Sequence, residues 1–171
     1  MWYICTMVKI LDGKKVRDTI AGEMIKKIAR LTKKPKLVIF QVGNNPESQI
    51  YIKQKELFGK KLGCIVEHVQ VPTRITEHNL VAHIQKYNHD ANTNGIIVQF
   101  PLPKHLNVFR VSEAIAPKKD VDGLHSENLK KLFAGRQDGF TPATTKGIVS
   151  LLDFYAIPIA GKRVVVVGRS L

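Results

Sequence analysis

Stretches in which apolar residues recur every three or four positions alternate along this chain with short runs that are apolar throughout. In residues 16–31, Ile20, Met24 and Ile28 follow this spacing and Lys and Glu stand between them, which predicts an amphipathic helix. Residues 37–42 form a run rich in β-branched and aromatic side chains, as expected for a strand covered on both faces. The first predicted elements are thus a helix and a buried strand.

The next elements continue this alternation. A second helix is expected from Pro46 to about Leu62, because proline suits the first turn and Gly63 suits the position after the last one. The following elements are strands over 64–71 and 95–100 and, between them, a helix over 76–87 with Thr76 as its N-cap. Strands that alternate with helices favour parallel pairing, since parallel neighbours need crossover connections. We therefore predict an α/β fold, a three-layer sandwich with a mostly parallel sheet between helices.

The remaining residues suggest a second structural unit. Further predicted elements are a turn-rich loop over 117–123 and helices over 126–133 and 142–155. The run from Val164 to Val167, closed by Gly168, predicts a buried parallel strand of the kind that begins a Rossmann-like dinucleotide-binding domain. We expect one domain over 1–141, followed over 142–171 by a connecting helix and the first strand of a second domain.

Composition and charge narrow the possible partners. Hydrophobic residues make up 44% of the chain and charged residues 24%, as in ordinary globular proteins. Lys and Arg outnumber Asp and Glu by 27 to 14, giving a net charge of +13, which favours anionic partners. The basic residues occur in scattered pairs such as Lys26 with Lys27, which favours solvated helix faces over a nucleic-acid-binding stripe.

The cysteines and the apolar segments indicate the kind of cellular compartment in which the protein is expected. Cys5 and Cys64 are the only cysteines, so no disulfide framework is implied and a reducing compartment fits. Residues 1–7 lack a basic n-region and a small-residue cleavage site, which argues against a secretory signal. No stretch reaches the roughly 18 apolar residues that a membrane-spanning helix needs.

Three segments carry candidate chemistry. Tyr51 and Lys55 stand at i and i+4 on the second predicted helix, so they share one face and could hold an ammonium beside a phenol. This spacing is also common in surface helices. Gln99 interrupts an apolar strand at its carboxyl end, where open α/β sheets bind ligands; it could equally satisfy backbone groups at the sheet edge.

The third segment is an acidic loop that ends in glycine. Asp120 and Asp122 lie two residues apart, before Gly123. A carboxylate can pair as a fork with adjacent N–H groups of a flat heterocycle, as it does with arginine. A calcium loop is a poor alternative, because the later ligands do not follow at EF-hand spacing.

Together these segments are far more specific than any one of them. Residues 48–55, 98–103, 119–123 and 165–170 occur in an order and at spacings that resemble the bifunctional methylenetetrahydrofolate dehydrogenase and methenyltetrahydrofolate cyclohydrolase family. The resemblance covers nearly the whole chain, which would then stop at the start of its NADP-binding domain. One departure is residues 142–145, Pro-Ala-Thr-Thr, where the family usually has Pro-Cys-Thr-Pro.

The resemblance implies roles for individual residues. Lys55 would transfer protons during cyclohydrolysis, and Gln99 would hydrogen-bond Lys55 and help set its protonation. Tyr51 would stack on the folate rings, while Asp122 would anchor the pterin by its amine edge. The catalytic residues would be Lys55, Gln99, Tyr51 and Asp122, the other substrate contacts Val98 and Leu102, and the cofactor contacts Gly168, Arg169 and Ser170.

The expected function follows from the same resemblance. NADP-dependent oxidation of 5,10-methylenetetrahydrofolate would precede hydrolysis of the methenyl product to 10-formyltetrahydrofolate, with the oxidation improbable in this chain alone. The resemblance also implies a cytoplasmic homodimer in one-carbon metabolism, without a metal, a membrane or nucleic acid as partner. Two alternatives are a short-chain reductase, for which a glycine-rich loop upstream of Tyr51 is missing, and a non-enzymatic basic module that binds nucleic acid.

Overall fold

The computed structural model describes residues 9–168, and its centre is a parallel sheet. The strands are β1 (Lys36–Val42), β2 (Ile65–Val71) and β3 (Gly95–Val98), in the order β2-β1-β3. Strand β1 pairs with β2 along its whole length and with β3 from Leu37 to Phe40. The parallel sheet that the sequence predicts is confirmed.

Six helices are formed by the described residues: α1 (Gly13–Ala29), α2 (Pro46–Leu62), α3 (Glu77–His89), α4 (Val108–Glu113), α5 (Ser126–Phe133) and α6 (Ala143–Phe154). Polar side chains accept hydrogen bonds from free N–H groups of the first turns, including Asn45 before α2 and Thr76 before α3. Helix α2 ends at Gly63, whose φ of 87° is left-handed. Local sequence thus fixes both ends of the helix that carries Tyr51 and Lys55.

Helices cover both faces of the sheet. On one face Phe40 packs with Leu80 of α3 and Val111 of α4. On the other face Ile39 and Ile97 pack with Ile52 of α2. The order β2-β1-β3 requires crossovers that run in opposite directions, so α2 and α3 lie on opposite faces. The predicted three-layer sandwich is confirmed.

One predicted strand is wrong. Val164 to Val167 form no strand, and their side chains are 64–95% exposed. A β-run needs a neighbour for its backbone hydrogen bonds and a surface to cover its side chains. No strand within residues 9–168 pairs with this run, so its apolar composition alone does not produce a strand.

Two further features were not predicted. Helix α4 is short, and its apolar pattern is correspondingly brief. Asp120, within the predicted loop, forms a parallel bridge with Ile96, so the loop continues the sheet on the outer side of β3. This bridge brings the acidic loop beside β3, the strand that Gln99 follows.

The basic pairs gather at helix ends. Lys26 and Lys27, Lys60 and Lys61, and Lys130 and Lys131 lie in the last turns of α1, α2 and α5, respectively. Positive charge there interacts favourably with the helix dipole. These three pairs therefore have a local structural role. None of the helices in residues 9–168 is long and apolar enough to cross a membrane.

Because β1 is buried on both faces, we expect that removing a large side chain from it lowers the free energy of unfolding substantially. Phe40 is fully buried, whereas Phe133 at the end of α5 is 87% exposed. Phe40→Ala should lower the free energy of unfolding by about 3–5 kcal/mol, and Phe133→Ala by less than about 0.5 kcal/mol. Urea unfolding of both variants measures the difference; equal losses would contradict the core described above.

Candidate active site

The candidate site lies at the carboxyl end of the sheet. Gln99 follows β3, and its backbone N–H still donates to the Phe40 carbonyl at 2.8 Å before the chain turns away at Pro101. Strand β1, the neighbour of β3, continues into α2 on one face of the sheet. Ligands of open α/β sheets bind outside such strand ends, where neighbouring connections diverge. Gln99 therefore lies at the edge where a ligand is expected.

Lys55 and Gln99 meet directly, as the sequence-based interpretation predicted. Lys55 Nζ donates to Gln99 Oε1 at 2.9 Å, and Gln99 Nε2 donates to the Phe100 carbonyl at 2.9 Å. The second bond fixes which end of the amide faces the lysine. The buried Ser48 hydroxyl also donates to the Phe100 carbonyl, at 3.4 Å. Gln99 is thus held as an acceptor toward Lys55.

Helix α2 presents the two residues of the first motif as expected. Ile52 is 1% exposed and packs on the sheet, while Tyr51 is 65% exposed. Lys55 lies one turn beyond Tyr51 and is half-buried. The anchored face of α2 therefore directs Lys55 toward Gln99 and leaves the Tyr51 ring free to stack on a flat ligand.

Asp122 completes the cluster. Burial raises the pKa of its carboxyl above the ordinary 3.8, the positive charge of Lys55 acts to lower that pKa, and the negative charge of Asp120 acts to raise it. Asp122 comes two residues after Asp120, which bridges to Ile96 in the strand that precedes Gln99. No donor among the described residues hydrogen-bonds the Asp122 carboxylate. Its acceptor oxygens are therefore available to a ligand.

The acidic loop is held at both of its ends. Lys119 Nζ donates to the carbonyls of Tyr87 and Asp90, at 2.8 Å each. Gly123 has a φ of 69°, and a Cβ there would lie 2.8 Å from the backbone of Thr141. Only glycine fits that close approach. Asp122 is therefore presented from a fixed loop.

Three of the other predicted contacts, Val98, Leu102 and Gly168, are among the described residues. The Val98 side chain is buried in the core under α3, and Leu102 packs against the same core, so their side chains are occupied by protein contacts. Gly168 is exposed and belongs to no helix or strand. Arg169 and Ser170 lie outside the described residues. Residues 9–168 thus do not by themselves form a strand-turn-helix cradle for a dinucleotide.

The described residues also bear on metal binding. Residues 9–168 contain no group of three or more His, Cys, Asp or Glu side chains placed to hold a metal ion. The Asp120 carboxylate is directed at backbone and amide donors.

Fold and site together describe a parallel α/β domain in which a lysine from a helix and an amide that follows a strand meet at the carboxyl end of the sheet. The profile of the family described as "Tetrahydrofolate dehydrogenase/cyclohydrolase, catalytic domain" matches residues 11–122. The chain belongs to this family. The resemblance inferred from the sequence is confirmed.

Relatives with similar sequences include two bacterial proteins called "Bifunctional protein FolD". The protein of Enterococcus faecalis is 41% identical over 167 residues, which are 96% of this chain and 59% of that protein. The protein of Chlamydia trachomatis serovar L2 is 42% identical over 161 residues, 94% of this chain and 56% of that protein. The chain therefore spans somewhat more than half the length of these relatives.

Solved structures agree with this assignment. The bifunctional FolD enzyme of Campylobacter jejuni superposes with a TM-score of 0.86 at 36% identity, over 87% of this chain and 54% of that one. The Trypanosoma brucei FolD enzyme, solved with NADP cofactor and inhibitor, gives a TM-score of 0.89 at 28% identity, over 95% and 57%. The fold of this chain is therefore that of the corresponding part of these enzymes.

The raised pKa of Asp122 predicts a pH-dependent stability effect. A carboxyl whose pKa is higher in the folded state binds more protons when folded, so its ionisation destabilises the protein as pH rises above 3.8. Asp122→Asn should therefore raise the Tm at pH 7, and the gain should vanish near pH 3. Thermal melts across this range test the effect, with the exposed Asp153→Asn as control; a lower Tm for Asp122→Asn at pH 7 would show that the charge stabilises the fold.

Proposed function

We propose that this chain forms the folate-binding half of a bifunctional methylenetetrahydrofolate dehydrogenase and cyclohydrolase, and that its own residues carry out the cyclohydrolase chemistry. The observation that carries the proposal is the Lys55 to Gln99 hydrogen bond of 2.9 Å beside an Asp122 carboxylate that has no donor among the described residues. In this proposal Lys55 is the proton-transfer group and Asp122 is the anchor for the heterocycle.

Asp122 would hold the substrate. The pterin ring offers a ring N–H beside an exocyclic amine, and a carboxylate with free oxygens accepts from both as a fork. The exposed ring of Tyr51 would stack on the flat substrate. These two contacts place the one-carbon bridge of the substrate near Lys55, one helical turn from Tyr51.

Lys55 would move the protons of hydrolysis. Water adds its oxygen to the cationic methenyl carbon and gives up a proton, and Lys55 would transfer the protons of this step and the next. The bond between that carbon and N5 then breaks, N5 takes up a proton, and the hydroxyl oxygen becomes the formyl carbonyl of 10-formyltetrahydrofolate. The net products are the formyl compound and one released proton. Gln99 would accept a hydrogen bond from Lys55 throughout and keep it directed at the reacting carbon.

For the whole protein we propose NADP as the cofactor that oxidises 5,10-methylenetetrahydrofolate, as the Trypanosoma brucei relative binds NADP. The described residues of this chain do not fit that role alone, since Gly168 is exposed and the run before it is unpaired. We place the domain boundary near residue 141, before α6. A reducing, cytoplasmic setting fits the free Cys64 thiol.

Replacing Lys55 tests the proposed chemistry. Lys55→Ala should slow hydrolysis of 5,10-methenyltetrahydrofolate by about 100-fold or more, because it removes the group that transfers protons. Lys53→Ala is the matched control, since Lys53 is on the same helix with a side chain that is 68% exposed. Loss of methenyl absorbance gives both rates. Equal enzymatic rates for the Lys55 variant and the unchanged chain would exclude Lys55 as the proton-transfer group.

We also propose that the chain forms a homodimer through the outer edge of β2. This strand lies at the end of the sheet, and no strand of residues 9–168 pairs with its outer side. Unpaired strand edges are sites of association. Light scattering at rising protein concentration should give twice the mass of one chain; a constant monomer mass would rule the dimer out.

A further inference from the structure

The side chain of Asn128 connects three separate segments. Asn128 is 2% exposed and is the buried residue of α5. Its Nδ2 donates to the Pro117 carbonyl and to Asp120 Oδ2, both at 2.9 Å, and its Oδ1 accepts from the Phe140 backbone N–H at 3.2 Å. One amide thus connects α5 to the acidic loop and to the segment at Phe140.

Asp120 is the partner of this amide. It is 2% exposed, and none of the ion pairs of the described residues includes it. Its Oδ2 accepts from the His125 backbone N–H at 2.8 Å and from Asn128. A buried carboxylate is costly unless such hydrogen bonds satisfy it. Moving Asp120 out of reach of these donors would leave a buried carboxylate unsatisfied, so its position is well defined.

The backbone around Asp120 is fixed from the opposite side. Asp120 forms a parallel bridge with Ile96, whose N–H donates to the Lys119 carbonyl at 2.7 Å. Two residues later comes Asp122, and the next residue, Gly123, lies against the backbone of Thr141. Asp122 therefore stands on a short span between two immobilised points.

We propose that Asp120 and Asn128 are positioning residues that hold the loop carrying Asp122 in place for folate binding. The inference rests on the proposed function. Asp120 acts in two ways: its hydrogen bonds hold the loop, and its negative charge raises the pKa of Asp122, against the opposing charge of Lys55 from α2. Lys55 and Asp120 are the two charged groups whose fields act on Asp122.

Asp120→Asn separates the two contributions. Both donors bond the same oxygen, Oδ2, so the amide oxygen of the variant can accept both while the charge is removed. Binding of folic acid, measured by calorimetry on the full chain, should stay within about threefold at pH 7. The pH at which binding is half lost should shift downward, because the pKa of Asp122 falls when the neighbouring charge is removed.

Asp120→Ala and Asn128→Ala remove the hydrogen bonds as well. Each should weaken folic acid binding about tenfold or more, because the loop loses its buried support. Asn88→Ala is the matched control: its side chain bonds the backbone of Ala114 and Ala116 at 2.8 and 2.9 Å and makes no hydrogen bond to the described residues 117–123. It should lower the Tm and leave the affinity of the folded chain unchanged.

The outcomes are distinguishable. If the unchanged chain binds folic acid and Asp122→Ala abolishes binding, the proposed function stands. An affinity for the Asp120→Ala and Asn128→Ala variants equal to that of Asn88→Ala would then overturn the inference, as would an unshifted pH dependence for Asp120→Asn. Failure of the unchanged chain to bind would reject the proposed function itself. Because Asp120→Asn keeps the hydrogen bonds, it remains informative if the alanine variants do not fold.

Discussion

The arrangement of the site depends on the pairing of β1 with a parallel neighbour on each side. Because β1 is buried on both faces, its two neighbours must be connected by helices that cover opposite faces. That constraint places α2 on one face and brings the end of β3 beside the start of α2. The bond between Lys55 and Gln99 spans 44 residues of sequence and is a direct result of this topology.

The site also depends on how the acidic loop is held against β3. The bridge between Ile96 and Asp120 continues the sheet beyond β3 by a single residue. This pairing is short, so side-chain bonds from Lys119 and Asp120 supply what the backbone ladder does not. The loop is thus held in a fixed position next to the sheet. Ligand contacts are usually placed on such loops in α/β scaffolds.

Local sequence predicted the parts of the fold that local forces determine. The ends of α2 follow from Pro46 and Gly63, and the start of α3 follows from Thr76. The strand predicted for Val164 to Val167 was wrong for the opposite reason, because a strand depends on neighbouring strands that its own composition does not supply. The same limit hid the bridge at Asp120, which requires a partner 24 positions earlier in the sequence.

Within the site, the pairing of Lys55 with Gln99 could be predicted only because the motifs together resembled a known family. The spacing of Tyr51 and Lys55 alone was equally compatible with a surface helix. The support by Ser48 and Asn128 carried no sequence signal of its own, since a buried amide or hydroxyl is recognised by its partners in space. The side chain of Val98 packs in the core, and its assignment as a substrate contact remains a prediction.

The two carboxylates of the loop have different tasks because their surroundings differ. Asp120 is almost fully buried and its oxygen is satisfied by protein donors, while Asp122, two residues on, has no donor from the described residues. Burial without donors makes ionised Asp122 unfavourable in the free protein. A ligand that brings its own N–H groups relieves that penalty on binding, so the free energy withheld from the fold becomes available to recognition. The two carboxylates thus differ in what they can accept: protein donors satisfy Asp120, whereas Asp122, in our proposal, accepts from the ligand.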